Sequence, residues 1–279
     1  MDLLPGRPVQ HAGCSITLRS EAGYHTMKAF ILAAGNGTRL HPLTARIPKC
    51  LVPIRGVPLL KIWLDICGRY GIGEVTVNLH AQAAKVREYV DSCATPVRVR
   101  LFEEPALLGS AGTLRSNADW VGPDENFFVF YGDVLTTLDI RRMYRYHRSK
   151  GMPITIALHH VDNPSQCGIA SLNADGIVQT FVEKPAQPAG TLGFCGVMVA
   201  NAAVLPLIPA GLADIGYDLL PRLTGRMAGY VVDEYLTDIG TIAAYEAAQT
   251  TWPGLESVLP ACQAVSSPTA ASASGDGRR

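Results

Sequence analysis

Apolar positions follow one alternation of rhythms from residue 28 to residue 149 and a different one afterwards. Lys28–Ala34 is a continuous apolar run closed by Gly35, the mark of a buried strand. Leu59–Tyr70 carries apolar residues at helical spacing and stops at Gly71. Glu74–Leu79 is a β-branched strand, Ala81–Val90 a helix, and Val97–Phe102 a strand of period two. Gly112–Trp120 has a helical pattern, and Asn126–Tyr131 is an aromatic and β-branched strand running into Gly132-Asp133. Asp139–Ser149 begins with an N-cap residue and continues at helical spacing. This order predicts an α/β fold with a Rossmann-like, mixed but mainly parallel sheet flanked by helices. After Pro153 the pattern changes to successive strands, Ile154–His160, Gly168–Leu172, Ile177–Val182 and Leu192–Ala200, with Asp175-Gly176 as a hairpin turn. These predict a small antiparallel lobe, and Thr241–Gln249 closes the pattern as a helix capped near Thr241. Ligands of such sheets sit beyond the carboxyl ends of the strands, which points at Gly35 and Asp133.

The rhythm is missing at both ends. Residues 1–26 show no helix or strand period, and Met27 stands directly before the first strand. They are expected to be a flexible extension, with Met27 as the natural start. Residues 253–279 are rich in Ser, Ala, Pro and Gly and are expected to be a disordered tail. Residues 27–252 then form the folded domain. The 24 basic and 24 acidic side chains cancel, which argues against partners that need a basic surface, nucleic acid and membranes among them. The seven cysteines are odd in number, widely spaced and without a CxxC pair, so a reducing, cytoplasmic location is expected. The uncharged stretch Leu192–Ala213 contains Asn201, Pro206 and Pro209, and reads as a strand, a short helix and a loop rather than a membrane span.

Candidate chemistry gathers where the first strand ends. Leu32-Ala33-Ala34-Gly35-Asn36-Gly37-Thr38-Arg39 places two glycines, a hydroxyl and an arginine after a buried strand. Such a loop lets backbone N–H groups face phosphate oxygens, and an arginine adds a bidentate charged contact. Taken alone it fits an ordinary strand-to-helix turn equally well. It lacks the third glycine of a dinucleotide fingerprint, since Leu40 stands there, and no GK[ST] of a P-loop follows.

The continuation separates these readings. Pro42-Leu43-Thr44, Pro48-Lys49, Leu51-Val52-Pro53 and Pro58 follow without a gap. From Leu32 to Pro58 the chain resembles the sugar nucleotidyltransferases, the nucleoside-diphosphate-sugar pyrophosphorylases. Further segments resemble that family in order. They are Glu103-Glu104-Pro105 with the loop Leu107–Leu114, Gly132-Asp133 after Phe128–Tyr131, Phe181–Pro185, and Leu236–Thr241.

The resemblance implies transfer of a nucleotidyl group from an NTP to a sugar 1-phosphate, with loss of pyrophosphate. It places Arg39, Lys49, Asp133 and Lys184 in catalysis. It places Leu32, Ala34, Gly35, Asn36, Gly37, Thr38, Arg39, Glu104, Gly109, Ala111 and Gly112 at the nucleotide. Asp133, Gly168, Glu183, Lys184 and Gly196 would hold the sugar phosphate, and Asp133 and Asp238 would bind Mg²⁺, a hard cation suited to carboxylates and phosphates. Two adjacent histidines, His159 and His160, would point to opposite strand faces and share no metal.

Substrate choice is read from less. An ionised carboxylate only accepts hydrogen bonds, and guanine offers donors on one edge. Glu103 or Glu104 would therefore favour GTP, and the Leu-Leu-Gly-Ser-Ala-Gly loop resembles the guanylyltransferase branch. A mannose-type hexose or heptose 1-phosphate fits that branch. Cys167-Gly168 and Phe194-Cys195-Gly196 depart from the Tyr-Gly and Asn-Ala-Gly found in many relatives. The alternatives are a uridylyl- or cytidylyltransferase, a regulatory homologue without activity, and a glycosyltransferase. A homodimer is a further expectation.

Overall fold

The computed structural model describes residues 27–123 and 125–258. The expected extension 1–26 and the tail from residue 259 onward lie outside the described residues. The chain starts with β1 (Met27–Leu32), passes through short 3-10 turns, and makes a small hairpin of β2 (Pro53–Ile54) and β3 (Val57–Pro58). There follow α1 (Leu59–Arg69), β4 (Ile72–Leu79), α2 (Ala83–Ser92), β5 (Arg98–Glu103), α3 (Gly109–Ser116) and α4 (Ala118–Val121). Next come β6 (Asn126–Tyr131), β7 (Val134–Thr136), α5 (Ile140–Lys150) and β8 (Ile154–His160). The remainder holds β9 (Gly168–Leu172), β10 (Val178–Glu183), β11 (Leu192–Asn201), β12 (Ala228–Val231), β13 (Leu236–Asp238) and α6 (Ile242–Thr251).

Nine strands form one sheet in the order β10-β9-β11-β6-β1-β4-β5, with β12 and β8 joined beside β11. The strands β5, β4, β1 and β6 run parallel, and β11 returns antiparallel against β6. The antiparallel strands of the second half are therefore continuous with the parallel ones. The chain leaves β1 for β4 on one side and comes back to β6 on the other. That reversal is a topological switch point, and it opens a crevice beyond Leu32 and Tyr131.

Burial explains the elements. Ala29, Phe30, Ile31, Phe127, Phe128, Val129 and Phe130 are fully buried, as expected of central strands covered on both faces. Trp63 of α1 stacks on Phe130 with ring centroids 4.4 Å apart, and its indole N–H donates to the Val134 carbonyl at 2.8 Å. On the other face Phe30 meets Trp120 edge-on at 5.1 Å. Helix α5 turns Met143, Tyr144 and His147 inward and leaves Arg142, Arg145 and Arg148 on the exposed face. Its basic run is a helix face, as its spacing predicts.

Several element ends shift by one or two residues from expectation, β1 and α2 among them, and two differences have an identifiable cause. The helix expected over Gly112–Trp120 starts earlier and breaks at Asn117, whose φ of −115° and ψ of 20° leave the helical region. Asn117 is buried; its side chain donates to the Thr113 carbonyl and accepts from Arg100. The segment after residue 252, expected as tail, is packed as far as residue 258. Leu255–Val258 makes a 3-10 turn against α1, with Val258 buried and its carbonyl accepting the Tyr70 hydroxyl. Pro253 and Gly254 mark a turn, not the end of the packed chain.

Candidate active site

The crevice at the switch point is a cleft of about 270 Å³. Leu32, Gly35, Thr38, Arg39, Lys49, Asp133 and Gly240 all line it. Its floor is the close crossing of two strand ends: the Gly132 N–H donates to the Leu32 carbonyl at 2.9 Å. A Cβ at Gly132 would lie 3.0 Å from that carbonyl oxygen, so glycine is what lets β6 end so near β1.

The loop after β1 is held from below and from the side. Asn78, on the neighbouring strand β4, accepts the Ala33 and Ala34 N–H groups at 2.6 and 3.3 Å. Gly37 has φ +63°, and a Cβ there would sit 3.0 Å from Thr44 Cγ2 and 3.1 Å from Lys49 Cβ. The Thr44 hydroxyl donates to the Gly37 carbonyl at 2.7 Å. Gly35 faces open space, with nothing within 4 Å of where its Cβ would be. The protein does not need that side-chain volume to be vacant; a ligand brought close to the backbone would.

Charged side chains converge above this loop. Lys49 is ion-paired with Asp133, the two side chains being 11% and 27% exposed. Strand β13 pairs antiparallel with β7, placing Asp238 opposite Val134, and the Ile239 N–H donates to the Asp133 carbonyl at 2.8 Å. This two-stranded ribbon carries the second carboxylate to the first. Burial, and then the Asp133 charge, raise the Asp238 pKa above its ordinary value, against the pull of Lys49, Arg39 and Lys184. A Cβ at Gly240 would lie 2.9 Å from Asp238 Oδ1 and 3.2 Å from Arg39 Nη2, so that glycine keeps room for both groups. Three cations and two carboxylates thus share one electrostatic neighbourhood.

The second half adds charged groups beyond the lining of this cleft, and the Lys184 charge among them acts on Asp238. Lys184 follows β10 in the left-handed region, with φ +45°, and its N–H donates to the Cys167 carbonyl at 3.1 Å. A non-glycine residue held there is uncommon and is fixed by its surroundings. Its ammonium lies 3.9 Å from Glu183 Oε1. Glu183 is wedged between Gly168 and Gly216, where added Cβ atoms would sit 2.6 and 2.2 Å from Oε2. Burial raises the Glu183 pKa, Lys184 opposes that, and Asp214 adds to it. Gly196, with φ +72°, leaves room for the Tyr131 ring, which would lie 2.8 Å from a Cβ. The structure gives Gly168 and Gly196 these packing roles.

The loop expected at the nucleobase is arranged differently from the sequence reading. Glu104 is 2% exposed, and both its oxygens accept from protein: Oε2 from the Leu108 N–H at 3.0 Å, Oε1 from Asn78 Nδ2 at 2.9 Å and from the Thr113 hydroxyl. Glu103 is ion-paired with Arg87 on the surface. Neither carboxylate lines the cleft: Glu104 is buried among three protein donors, and Glu103 is paired with a surface arginine, so neither supports the expected contact with guanine. The N–H groups of Ala111 and Gly112 both donate to the Ala213 carbonyl at 3.0 Å, so these donors too are engaged by the protein. Gly109, with φ +76°, packs against the same carbonyl.

Several residues that build the site escaped the sequence reading. Asn78 had a signal, a lone amide in the β-branched and apolar run Val75–Leu79. Thr44 had one as well, lying within the loop motif. Ser110 had one too, lying within the loop Leu107–Leu114, whereas Asp214 and Gly216 had none. Ser110 Oγ donates to Asp214 and accepts the Ile215 N–H, stitching residues 213–216 onto the start of α3. His159 and His160 bond the Val232 carbonyl and the Thr191 hydroxyl respectively, consistent with opposite faces.

Asp133 and Asp238 fit a divalent cation by their chemistry. Both are hard oxygen donors, adjacent enough for one to shift the other, beside a loop open to phosphate. Mg²⁺ is typically held by one or two carboxylates together with substrate phosphates rather than by a complete protein cage. Among the described residues no helix is long and apolar enough to cross a membrane.

The sequence model of the nucleotidyl transferase family matches residues 28–253. A UTP–glucose-1-phosphate uridylyltransferase of Synechocystis is 32% identical over 84% of this chain and 63% of its own. A mannose-1-phosphate guanylyltransferase of Arabidopsis thaliana is 30% identical over 77% of this chain and 61% of its own. The chain thus spans somewhat under two thirds of the length of these relatives. The solved structure of HddC from Yersinia pseudotuberculosis superposes with a TM-score of 0.70 over 81% of this chain and all of the other, at 24% identity, which bears on the fold. With a match over nearly all of its described residues, the chain belongs to the nucleotidyl transferase family.

Proposed function

We propose that this chain is a sugar-1-phosphate nucleotidyltransferase that joins GTP and a mannose-type hexose or heptose 1-phosphate into an NDP-sugar and pyrophosphate. The observation that carries the reaction class is the convergence of Arg39, Lys49, Asp133, Asp238 and Lys184 around one loop at the switch point. Phosphoryl-type transfer asks little covalent chemistry of a protein and much positioning and charge stabilisation.

In this reading the backbone from Gly35 to Thr38 and the Arg39 guanidinium hold the triphosphate. Lys184 and Glu183 hold the phosphate and hydroxyls of the sugar phosphate. A phosphate oxygen of the sugar phosphate attacks the α-phosphorus in line, the bond to the β-phosphate oxygen breaks, and pyrophosphate leaves. Lys49 is fixed by Asp133 at the point where charge accumulates, a role for pre-oriented cations in such transfers. Mg²⁺ held by Asp133, Asp238 and phosphate oxygens would neutralise phosphate charge. Asp133 and Asp238 keep their carboxylates side by side, an arrangement whose mutual repulsion a cation relieves.

The guanylyl preference is supported by relatives bearing that name, not by the two glutamates. A uridylyl preference is the second reading, favoured by the Synechocystis relative. Pyrophosphate release with Mg²⁺, across GTP, UTP, CTP, ATP and dTTP and a panel of hexose and heptose 1-phosphates, tests both. Release that requires GTP and a mannose-type sugar is expected. Release with UTP alone establishes the second reading, and none with any pair removes the reaction class.

A further inference from the structure

The polar cluster beneath the cleft has no part in the reaction just described. It comprises Asn78, Glu104 and Thr113, which are 5%, 2% and 0% exposed. Its hydrogen bonds run in one connected path. The Ala33 and Ala34 N–H groups, at the root of the phosphate loop, donate to Asn78 Oδ1. Asn78 Nδ2 donates to Glu104 Oε1, and Glu104 accepts from Thr113 of α3 and from the Leu108 N–H. The main chain of Glu104 is tied as well: its N–H donates to the Leu79 carbonyl at 2.8 Å and its carbonyl bonds His80 Nδ1 at 2.8 Å. Among the described residues no buried side-chain nitrogen or oxygen lacks a partner.

We propose that Asn78 and Glu104 are positioning residues that lock the phosphate loop and the loop Leu107–Leu114 at one spacing, and that Glu104 sets that spacing without reading the base. The inference rests on the nucleotidyltransferase reading, because it takes the two loops as the holders of triphosphate and base. A carboxylate suits position 104 because three donors meet its two oxygens and it has no N–H of its own. An amide suits position 78 because one end must accept from the β1 loop while the other donates to Glu104. A triphosphate and its base are joined covalently, so an error in loop spacing weakens every NTP alike.

Donor and acceptor matching supplies a reciprocal test. Glu104→Gln sets an N–H against either the Leu108 N–H or the Asn78 amide. Asn78→Asp sets a carboxylate oxygen against Glu104. Combined, the two changes match again. The new carboxylate at 78 accepts the Ala33 and Ala34 N–H groups and the amide N–H from 104. The amide oxygen at 104 accepts the Leu108 N–H. The Thr113 hydroxyl accepts the second amide N–H and donates to the new carboxylate, whose oxygen takes the place of Asn78 Nδ2, 3.1 Å away.

Dissociation constants for GTP and for UTP, measured by calorimetry on the full chain, should rise about tenfold in each single variant, the cost of a mismatched buried polar group. The ratio between the two nucleotides should stay at the wild-type value, and the double variant should return to within about threefold of wild type. A merely structural defect would lower the binding stoichiometry and leave the constants of the folded fraction unchanged. Where a single variant does not fold, Thr113→Val, which keeps the shape and removes both the donor to Glu104 and the acceptor of Asn78 Nδ2, should weaken both nucleotides about threefold. A changed nucleotide ratio in Glu104→Gln, wild-type affinity in the single variants, or a double variant no better than the worse single overturns the proposal. Binding is read without sugar phosphate, so a wild type that binds NTP yet releases no pyrophosphate overturns the proposed reaction and leaves this test standing. A wild type that binds no NTP overturns both.

Discussion

Lys49 shows how one side chain can matter to chemistry and little to folding. It is 11% exposed and ion-paired with Asp133, which is itself more open. Partly exposed pairs of this kind contribute little to stability, about 1 kcal/mol or less. A cation fixed where charge builds up in a transition state is commonly worth about a hundredfold or more in rate. Lys49→Ala should therefore lower kcat by about a hundredfold while Tm moves by a few degrees at most; an unchanged kcat would remove Lys49 from the mechanism. Gly37 is the reverse case. Its φ of +63° and the atoms 3.0 and 3.1 Å from a would-be Cβ leave no room for a side chain. Gly37→Ala should cost about 2 kcal/mol. A melting curve equal to wild type would show that the loop relaxes freely around Thr44.

At the scale of elements, α5 supplies a test of burial. It packs on the sheet through Met143, Tyr144 and His147, and the His147 ring bonds Thr155 Oγ1 at 2.9 Å and lies 3.5 Å from Asn126 Oδ1. Burial first, and the Arg148 charge second, push the His147 pKa down from 6.5 to about 4. The native state thus refuses a proton that the unfolded chain takes up below about pH 6.5. Stability contributed by neutral His147 is complete above that pH and falls as the pH drops toward about 4, by at most about 3 kcal/mol. His147→Gln removes the titration, so its Tm should depend less steeply on pH between 6.5 and 4 than that of wild type. Parallel curves would contradict the burial argument. The same element shows what sequence conveys well. Asp139 caps α5 by accepting from the Arg141 and Arg142 N–H groups, and the amphipathic spacing that follows leaves one face to bury. The strands β6, β8 and β9 were likewise legible to the residue, because apolar runs bounded by turn residues carry their own limits. The break at Asn117 was not legible, since it depends on Arg100 of a distant strand. Nor was the turn Leu255–Val258, whose composition resembles a tail and whose anchor is Tyr70. Within the site, the loop after β1 and both aspartates could be read from local motifs. The burial of Glu104 among protein donors could not, because its partners Asn78, Leu108 and Thr113 come from three separate elements and loops.

Across the whole molecule, two kinds of strand carry the charged groups of the candidate site. Parallel strands β1 and β6 end in the glycine loop and Asp133, while the antiparallel hairpin of β9 and β10 ends in Glu183 and Lys184. The ribbon of β7 and β13 closes the gap by bringing Asp238 beside Asp133. If the first kind holds the triphosphate and the second the sugar phosphate, the two binding energies should separate in the same way. Lys184 tests this division, because its N–H is bound to the Cys167 carbonyl, next to Glu183, while its charge acts on Asp238. Removing a charge-assisted contact costs about 1.5–3 kcal/mol, roughly a ten- to hundredfold effect. Lys184→Ala should raise the KM for the sugar phosphate by about that factor and leave the NTP dissociation constant within twofold of wild type. The substitution keeps a non-glycine residue at φ +45°, so the strain at that position is unchanged and folding should be as in wild type. An equal weakening of NTP and sugar phosphate would mean that Lys184 reaches across to the triphosphate, and that the two kinds of strand do not divide the substrates between them.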